Sequence, residues 1–184
     1  MHFPVLLDTN VLYSASLNDF LLRLASRGAF RPLWSEDVLE ELTRNLSSFL
    51  PADAVARRVG AMRTHFPEAL VSGHESLIPA MTNHPKDRHI LAAAVRADAA
   101  VLVTFDLDDF PAESVAEFDL EVRHPDAFLL DQLDLHPGLV LDALQDWSDS
   151  CSAPPLTRRD LLLILDRTGV PRFAETVLQW LILE

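Results

Sequence analysis

The sequence feature that most constrains the fold is a short apolar run near the N-terminus that ends abruptly in a carboxylate. Residues 5–7 (Val-Leu-Leu) are followed at once by Asp8, and Thr9 and Asn10 come next, before apolar residues resume. An uninterrupted apolar run is typical of a buried parallel strand. The pattern therefore predicts a strand with Asp8 at its carboxyl end, the edge at which open α/β sheets bind ligands. On these residues alone, an ordinary strand-to-helix turn is an equally good interpretation.

Strand and helix patterns alternate further along the chain and are joined by short connections. Short runs predict four more strands, at about residues 30–34, 69–71, 99–104 and 121–123. Between the strands, Asn18 is the expected N-cap of a helix over 19–27, and Ser35 is the expected N-cap of the helix after the second strand. This alternation predicts an α/β fold, a three-layer sandwich with a mostly parallel central sheet.

A change of pattern after residue 135 predicts a second part of the chain. Residues 136–138 (His-Pro-Gly) are typical of a boundary, and three helical patterns follow, over 139–147, 160–166 and 171–183. We therefore expect a first domain at 1–135 and an all-helical C-terminal appendage at 136–184. Most of the apolar surface of these helices is expected to pack within the protein, and part of it is open to a partner or a second copy.

Composition narrows the setting in which such a chain works. It has 184 residues, 49% of them hydrophobic, which suits one domain with a sizeable core and a small appendage. No signal-peptide pattern and no apolar run of ~20 residues is found, so no membrane association is expected. Cys151 is the only cysteine, which excludes an internal disulfide. Together these points predict a cytoplasmic protein.

The net charge bears on the class of partner. A charge of −13 argues against broad affinity for nucleic acid, because phosphate binding usually leaves a basic surface. The charge is unevenly spread, however, since ten of the fifteen basic residues lie at or before Arg96. Two interpretations of these basic residues therefore remain: a locally basic binding face on an acidic protein, or an ordinary solvated arginine face.

Carboxylates recur at element ends that the fold would bring to one side of the sheet. They are Asp8 after the first strand, Glu41 or Glu40 on the helix after the second, Asp87 at a helix start, and Asp106 with Asp108 and Asp109 after the strand at 99–104. Each acid taken singly also fits a structural role, as part of a solvated helix face, as a dipole-stabilising acid or as a turn residue. The functional interpretation depends on the four positions meeting.

Gathered carboxylates need a compensating charge. Two of them at ~5 Å with an effective dielectric of ~20 repel by about 3 kcal/mol. Either their pKa values rise or a divalent cation lies among them. Oxygen ligands without a thiolate or a histidine pair favour Mg²⁺ or Mn²⁺ over Zn²⁺. Such ions can activate water and stabilise an in-line displacement at phosphorus.

Four segments, taken in order, resemble the PIN domain. They are residues 7–12 (LDTNVL), 35–42 (SEDVLEEL), 86–94 (KDRHILAAA) and 102–110 (LVTFDLDDF), and the resemblance covers about residues 3–130. PIN domains are Mg²⁺- or Mn²⁺-dependent ribonucleases, and many bacterial members are VapC toxins of VapBC toxin–antitoxin pairs. The resemblance therefore implies a PIN-like fold, a divalent metal cofactor, an RNA substrate, and a homodimer with a possible antitoxin partner.

The resemblance also implies individual roles. Four acids match the catalytic residues and metal ligands of the family: Asp8, Glu41, Asp87 and Asp106. Asp109, directly before Phe110, matches a further ligand that neighbours or replaces Asp106. Three polar residues match positions that hold the acids by hydrogen bonds, a support that metal ligands commonly need: Thr9, Asn10 and Thr104. His84 and His89 flank Asp87, and we expect surface or helix-terminal roles for them rather than metal binding.

The chain departs from the compact toxin pattern in its helical C-terminus and its acidity. The acidity favours a narrow RNA substrate that is engaged locally. The candidate RNA-binding residues are Arg57, Arg58, Arg63, Lys86 and Arg88.

Three functions fit these residues. The leading hypothesis is a metal-dependent endoribonuclease that acts as the toxin of a VapBC-type pair. The second is a non-catalytic PIN-fold binding module that acts through its apolar helical tail. The third is another acid-rich α/β phosphohydrolase, such as a haloacid-dehalogenase-like phosphatase. That chemistry needs a second aspartate two residues after the first, and Asn10 occupies the position here.

Overall fold

The strands form a five-stranded sheet in which every strand is parallel to its neighbours. The computed structural model describes residues 3–183. The strands are β1 (Pro4–Leu7), β2 (Arg31–Ser35), β3 (Leu70–Val71), β4 (Val101–Val103) and β5 (Glu121–Arg123), in the spatial order β3-β2-β1-β4-β5. Leu6 of the central strand pairs with Leu33 on one side and Leu102 on the other. The predicted parallel α/β sheet is confirmed.

Helices connect the strands and continue to the C-terminus. They are α1 (Thr9–Tyr13), α2 (Ala15–Ser26), α3 (Glu36–Leu46), α4 (Ala52–His65), α5 (Arg88–Arg96), α6 (Ala112–Val115), α7 (Pro125–Leu135), α8 (Pro137–Ser150), α9 (Arg158–Arg167) and α10 (Pro171–Leu183). Short 3-10 turns cover Glu75–Ala80, Pro85–Asp87 and Leu107–Asp109. The C-terminal helices confirm the all-helical appendage. Among the helices of residues 3–183, none combines the length and apolar character that crossing a bilayer requires.

The chain divides into two compact units. The first comprises the chain up to Tyr13 together with Phe30–Arg123, and it contains the whole sheet. The second comprises Ser14–Ala29 and the chain from His124 onward, so that α2 and α7 pack with the C-terminal helices. The expected domain boundary between 135 and 136 stays a prediction, because a packing unit and an independently folding domain are different properties.

The first unit is built around the apolar strands that the sequence indicates. Val5, Leu6 and Leu7 of β1 are all fully buried. Ser35 caps α3 as expected: its Oγ accepts a hydrogen bond from the Val38 backbone N–H at 3.3 Å. Because all five strands are parallel, the segments that follow β1, β2 and β4 begin at the same edge of the sheet. That edge carries the candidate acids.

The second unit is a cluster of helices around aromatic side chains. The ring of Phe20 on α2 lies 5.9 Å from that of Trp147 on α8 and 5.6 Å from that of Phe173 on α10. Asp126 on α7 is buried, and its carboxylate accepts hydrogen bonds from the backbone N–H groups of Phe173 at 2.8 Å and Arg172 at 3.3 Å. It therefore caps the N-terminus of α10, a position where Val170 offers no side-chain acceptor.

One predicted helix boundary is wrong. Asn18 does not cap a helix; it lies buried one turn inside α2. The cap is Ser14, whose Oγ accepts from the Leu17 backbone N–H at 3.3 Å. Both residue types are good N-caps, and the helical stretch begins early enough for the first of them to be used.

Candidate metal centre and active site

The hydroxyl of Thr104 joins two of the candidate acids. Thr104 follows β4, and its Oγ1 donates to Asp8 Oδ2 at 2.7 Å. The same oxygen accepts hydrogen bonds from Asn10 Nδ2 and from the Asp106 backbone N–H, both at 3.1 Å. Asn10 Nδ2 also donates to Asp106 Oδ2 at 3.1 Å, and Asn10 Oδ1 accepts from the Phe105 backbone N–H at 3.2 Å. The segments after β1 and β4 are thus locked together.

Glu41 is held against the same edge by the residue after Asp8. Thr9 Oγ1 donates to Glu41 Oε2 at 3.3 Å, and His89 Nε2 lies 3.9 Å from that carboxylate oxygen. Glu41 is half-buried on α3, whereas Glu40 is exposed. The contact with Thr9 supports Glu41 rather than Glu40 as the helical acid of the site.

Asp87 and Asp109 form a second cluster around a lysine. Lys86 Nζ lies 3.1 Å from Asp109 Oδ2 and 3.7 Å from Asp87 Oδ2. His84 is tied to this cluster, because its backbone N–H donates to the Asp109 carbonyl at 3.0 Å. One ligand atom each of His84, Asp87 and Asp109 lies within 4.8 Å of the others. Two carboxylates and an imidazole therefore meet within reach of one ion.

Burial raises the pKa of two of these carboxyls. The pKa of Asp8 rises from 3.8 to about 6, mainly because the group is buried; the charges of Glu41 and Asp106 add to the rise, and the hydrogen bond from Thr104 opposes it. The pKa of Asp87 rises to about 7, through burial and then through its hydrogen bond with Asp109. The ammonium of Lys86 lowers the pKa of Asp109. The site is therefore rich in carboxylate and short of positive charge.

The residues fit a divalent cation. Asp87 Oδ2 is buried, and no hydrogen-bond donor within residues 3–183 satisfies it. A buried carboxylate oxygen without a hydrogen bond is costly, and coordination of a cation would satisfy it. The surrounding donors are mainly hard carboxylate oxygens, which suit Mg²⁺ or Mn²⁺. Asp8, Glu41, Asp87, Asp106 and Asp109 are the side chains that could hold such an ion.

Comparison with known protein families agrees with this geometry. The sequence profile described as the PIN domain matches residues 4–108, more than half of the chain. The chain belongs to the PIN-domain family. A second profile, described as the VapC50 C-terminal domain, matches residues 125–179, which include most of the C-terminal helices.

A curated relative is similar in sequence to part of this chain. It is named "Putative ribonuclease VapC50" and comes from Mycobacterium tuberculosis (strain ATCC 25618 / H37Rv). The two chains are 44% identical over 106 residues, which are 58% of this chain and 62% of the relative. The match therefore spans less than two thirds of the relative's length. No solved structure matches this chain.

Two pockets adjoin the acids of the PIN domain. One, of about 480 Å³, is lined by Asp37, Glu40, Glu41, Arg44, Lys86, Asp87 and His89. The other, of about 460 Å³, is lined by Phe105, Asp106, Leu107, Asp108 and Asp109. Both have the size of a small-ligand site. The first pocket brings three basic side chains, Arg44, Lys86 and His89, beside the candidate ligands Glu41 and Asp87.

Of the five basic residues expected to bind RNA, Lys86 alone lines either pocket. Arg57 pairs with Asp53 at 2.5 Å on the exposed face of α4, and Arg63 pairs with Glu36. Arg58 donates to the Leu12 carbonyl and to the Tyr13 carbonyl, the latter at 3.0 Å, and so binds the end of α1. Arg88 Nε donates to the Asn83 carbonyl at 3.3 Å. Four of the five are thus engaged by other parts of the first unit.

Two residues near the candidate acids, His84 and Arg44, were not assigned to the site from the sequence. His84 meets Asp87 because a spacing of three places both on one side of a 3-10 turn. His84 also takes the expected terminal role, since its Nδ1 accepts from the Lys86 backbone N–H at 3.4 Å. Arg44 follows Glu41 by three residues on α3, which puts the two on one face of that helix. In both cases the helical spacing to an acid was the available signal.

Proposed function

We propose that this protein is a metal-dependent endoribonuclease of the VapC type, which hydrolyses phosphodiester bonds in RNA. The observation that carries the proposal is the hydrogen-bonded set at the carboxyl edge of the sheet, in which Thr104 joins Asp8 to Asp106 and Thr9 holds Glu41. A solvated acidic surface would need no such supports. Membership of the PIN family and the name of the VapC50 relative point in the same direction.

The proposed cofactor is Mg²⁺ or Mn²⁺. The ligands would be Asp8, Glu41, Asp87 and Asp106, with Asp109 beside Asp106. When bound, such an ion activates water and neutralises charge at a phosphodiester. The chain itself supplies the carboxylates; the pKa values of Asp8 and Asp87 are raised mainly by burial, and the charges of neighbouring carboxylates add to the rise. Because those carboxylates repel one another without a cation, the site favours divalent ions over an empty state.

The polar neighbours would act by positioning. Thr104 fixes the direction of the Asp8 carboxylate through its donated hydrogen bond, and Asn10 does the same for Asp106. Thr9 restrains Glu41, which otherwise has the freedom of a half-buried helix residue. Restraint of this kind keeps metal ligands in one geometry.

The proposed biology follows the family. The chain belongs to the PIN family and is similar to a relative named VapC50, and we propose that it is the toxin of a VapBC-type pair, with an antitoxin protein and RNA as its partners. Homodimerisation and a cytoplasmic location stay predictions. The net charge of −13 supports a narrow substrate over general RNA binding.

The test is cleavage of a mixed pool of structured RNAs, tRNA and ribosomal fragments, in Mg²⁺, in Mn²⁺ and in EDTA. Wild type is compared with Asp8→Asn and with a matched control, Asp108→Asn. Asp108 is an exposed carboxylate of the same acidic segment and lies outside the hydrogen-bonded set. We expect discrete metal-dependent cuts by wild type and the control, and none by Asp8→Asn.

Two outcomes would overturn the proposal. The first is equal cleavage by Asp8→Asn, which would mean that the activity arises elsewhere or from a contaminant. The second is the absence of cleavage by folded wild type that binds metal and has been freed of any copurified inhibitor. The second result would favour the non-catalytic binding module, and the helical C-terminus would then be used to search for a partner.

A further inference from the structure

The pocket beside Glu41 and Asp87 contains a cation that forms no ion pair with any carboxylate of residues 3–183. Its lining consists of Asp37, Glu40, Glu41, Arg44, Lys86, Asp87 and His89. Most of these side chains are engaged: Lys86 contacts Asp109, His89 lies 3.9 Å from Glu41, and Asp37 Oδ2 lies 2.8 Å from the Nε2 of buried His74. Arg44 is the exception.

Arg44 lies on the last turn of α3 and is exposed. Within residues 3–183 its guanidinium makes no ion pair with a carboxylate and no hydrogen bond that the structure records. This contrasts with Arg57 and Arg63, which are each paired to an acid. Other arginines, such as Arg31, also make no recorded ion pair, but Arg44 differs from them in lining the pocket that contains the candidate metal ligands Glu41 and Asp87.

The position of Arg44 relative to the acids indicates a ligand-binding role for its guanidinium. It follows Glu41 by three residues, so both side chains leave α3 on the same face. A guanidinium presents a planar set of donors that matches a phosphate group, and phosphate neutralises its charge. A divalent ion held by Glu41 and Asp87 would remove the negative charge that otherwise repels phosphate from this pocket.

We propose that Arg44 binds a phosphate of the RNA backbone next to the one that is cleaved, and that the pocket of about 480 Å³ receives the adjoining nucleotide. The inference rests on the proposed ribonuclease function and adds the residue that fixes the register of the RNA strand. Phosphate contacts fix register and orientation, whereas contacts with the bases carry sequence information.

A plainer role for Arg44 predicts different results. A cation in the last turn of a helix stabilises the helix through its dipole, without any ligand. If Arg44 had only that role, an Arg44 variant would be less thermally stable, and the dependence of its RNA binding on salt would be unchanged. The test must therefore measure RNA binding as well as stability.

The test uses the RNA fragment that wild type cleaves in the assay above. Arg44→Gln and Arg44→Lys are compared with wild type for kcat and KM, and all are repeated in the Asp8→Asn background for equilibrium binding at several salt concentrations. The matched control is Arg31→Gln. Arg31 is also exposed, but it begins β2 at the opposite edge of the sheet. The melting temperature of each variant is measured in parallel.

We expect Arg44→Gln to raise KM and Kd about tenfold, with kcat changed far less. The slope of log Kd against log salt should fall by about 0.7, the value for one phosphate contact on a single strand. Arg44→Lys should recover the salt slope but only part of the affinity, because lysine keeps the charge and loses the planar donors. Arg31→Gln should match wild type.

Unchanged KM, Kd and salt slope in Arg44→Gln, with cleavage by wild type intact, would overturn this inference and leave the ribonuclease function standing. A lower melting temperature alone would do the same, in favour of the helix-dipole role. Absence of cleavage and of RNA binding by wild type would overturn both proposals.

Discussion

Thr104 Oγ1 donates a hydrogen bond of 2.7 Å to Asp8 Oδ2, and this contact joins the ends of the two central strands β1 and β4. The same oxygen accepts two further hydrogen bonds at 3.1 Å. A hydroxyl can donate one hydrogen bond and accept two. The Thr104 hydroxyl therefore makes every hydrogen bond that it can. Each of its three bonds ends on a residue of the candidate site, and none faces solvent, since Thr104 is fully buried.

Replacing Thr104 should therefore be more damaging than its size implies. Thr104→Val removes the acceptor of the Asp106 N–H, one of the two acceptors of the Asn10 amide, and the hydroxyl that donates to Asp8. We expect the free energy of unfolding to fall by about 1–3 kcal/mol, measured by urea denaturation. Thr104→Ser keeps the hydroxyl and serves as the control, with a smaller loss from its missing methyl. Equal losses of unfolding free energy in Thr104→Val and Thr104→Ser would show that the hydrogen bonds contribute little.

The pH dependence of the metal-free protein should reveal the buried carboxylate of Asp8. Its folded pKa is about 6, against an ordinary value of 3.8, so between these values the folded state keeps a proton that the unfolded state has lost. Stability from this group therefore falls as pH rises from about 4 to about 6, by about 3 kcal/mol in total. Asp87 acts in the same direction and extends the fall towards pH 7.

The measurement is chemical denaturation in EDTA of wild type and Asp8→Asn across pH 4 to 7. The two should be close in stability near pH 4, and the variant should be the more stable at pH 7, because it buries no charge. Mn²⁺ should stabilise wild type most at neutral pH, where the ligands are ionised. A stability difference that does not change with pH would contradict the burial of an ionisable Asp8.

Lys86 should compete with a divalent ion for the same carboxylates. Its ammonium lies 3.1 Å from Asp109 Oδ2 and 3.7 Å from Asp87 Oδ2. We expect Lys86→Gln to bind Mn²⁺ several-fold more tightly than wild type in calorimetric titration of the metal-free protein. Arg44→Gln removes one charge from the same pocket without removing a contact to these acids, and it is the matched control. Equal gains in both variants would indicate a general charge effect rather than direct competition.

Asp126 should stabilise the second unit, to which both α7 and α10 belong. It caps α10 through hydrogen bonds from Phe173 N and Arg172 N. Asp126→Ala should lower the free energy of unfolding by about 1–2 kcal/mol, and Asp126→Asn by less, since one acceptor remains. Urea denaturation gives the size of the loss. Wild-type stability in the alanine variant would show that the cap is not needed.

Local signals were enough for much of the fold and for the acids of the candidate site. The strand at 121–123 and the helix at 171–183 have the bounds expected from the sequence, and Ser35 is the N-cap that its position predicts. The approach of Asp8, Glu41, Asp87 and Asp106 follows from parallel topology, because parallel strands present their carboxyl ends at one edge. Their roles as ligands stay predictions.

Features that depend on packing between distant segments could not be predicted in this way. Four of the five arginine and lysine candidates contact partners outside the cluster of acids, such as Asp53, Glu36 and the end of α1, and Lys86 contacts Asp109 within it. The partner of a long side chain is fixed by tertiary structure, which no local pattern encodes. The assignment of α2 to the helical unit is of the same kind, because its apolar stripe would serve equally well against a sheet.

The division of the chain has a consequence for protein engineering and for recombination between genes. The helical unit is discontinuous in sequence: α2 lies between β1 and β2, more than ninety residues before α7. A break after Arg123 would therefore leave Phe20 on α2 without Trp147 and Phe173, and Arg27 without Asp146. The C-terminal segment therefore cannot be exchanged between homologues by itself, and residues 14–29 must be exchanged together with it.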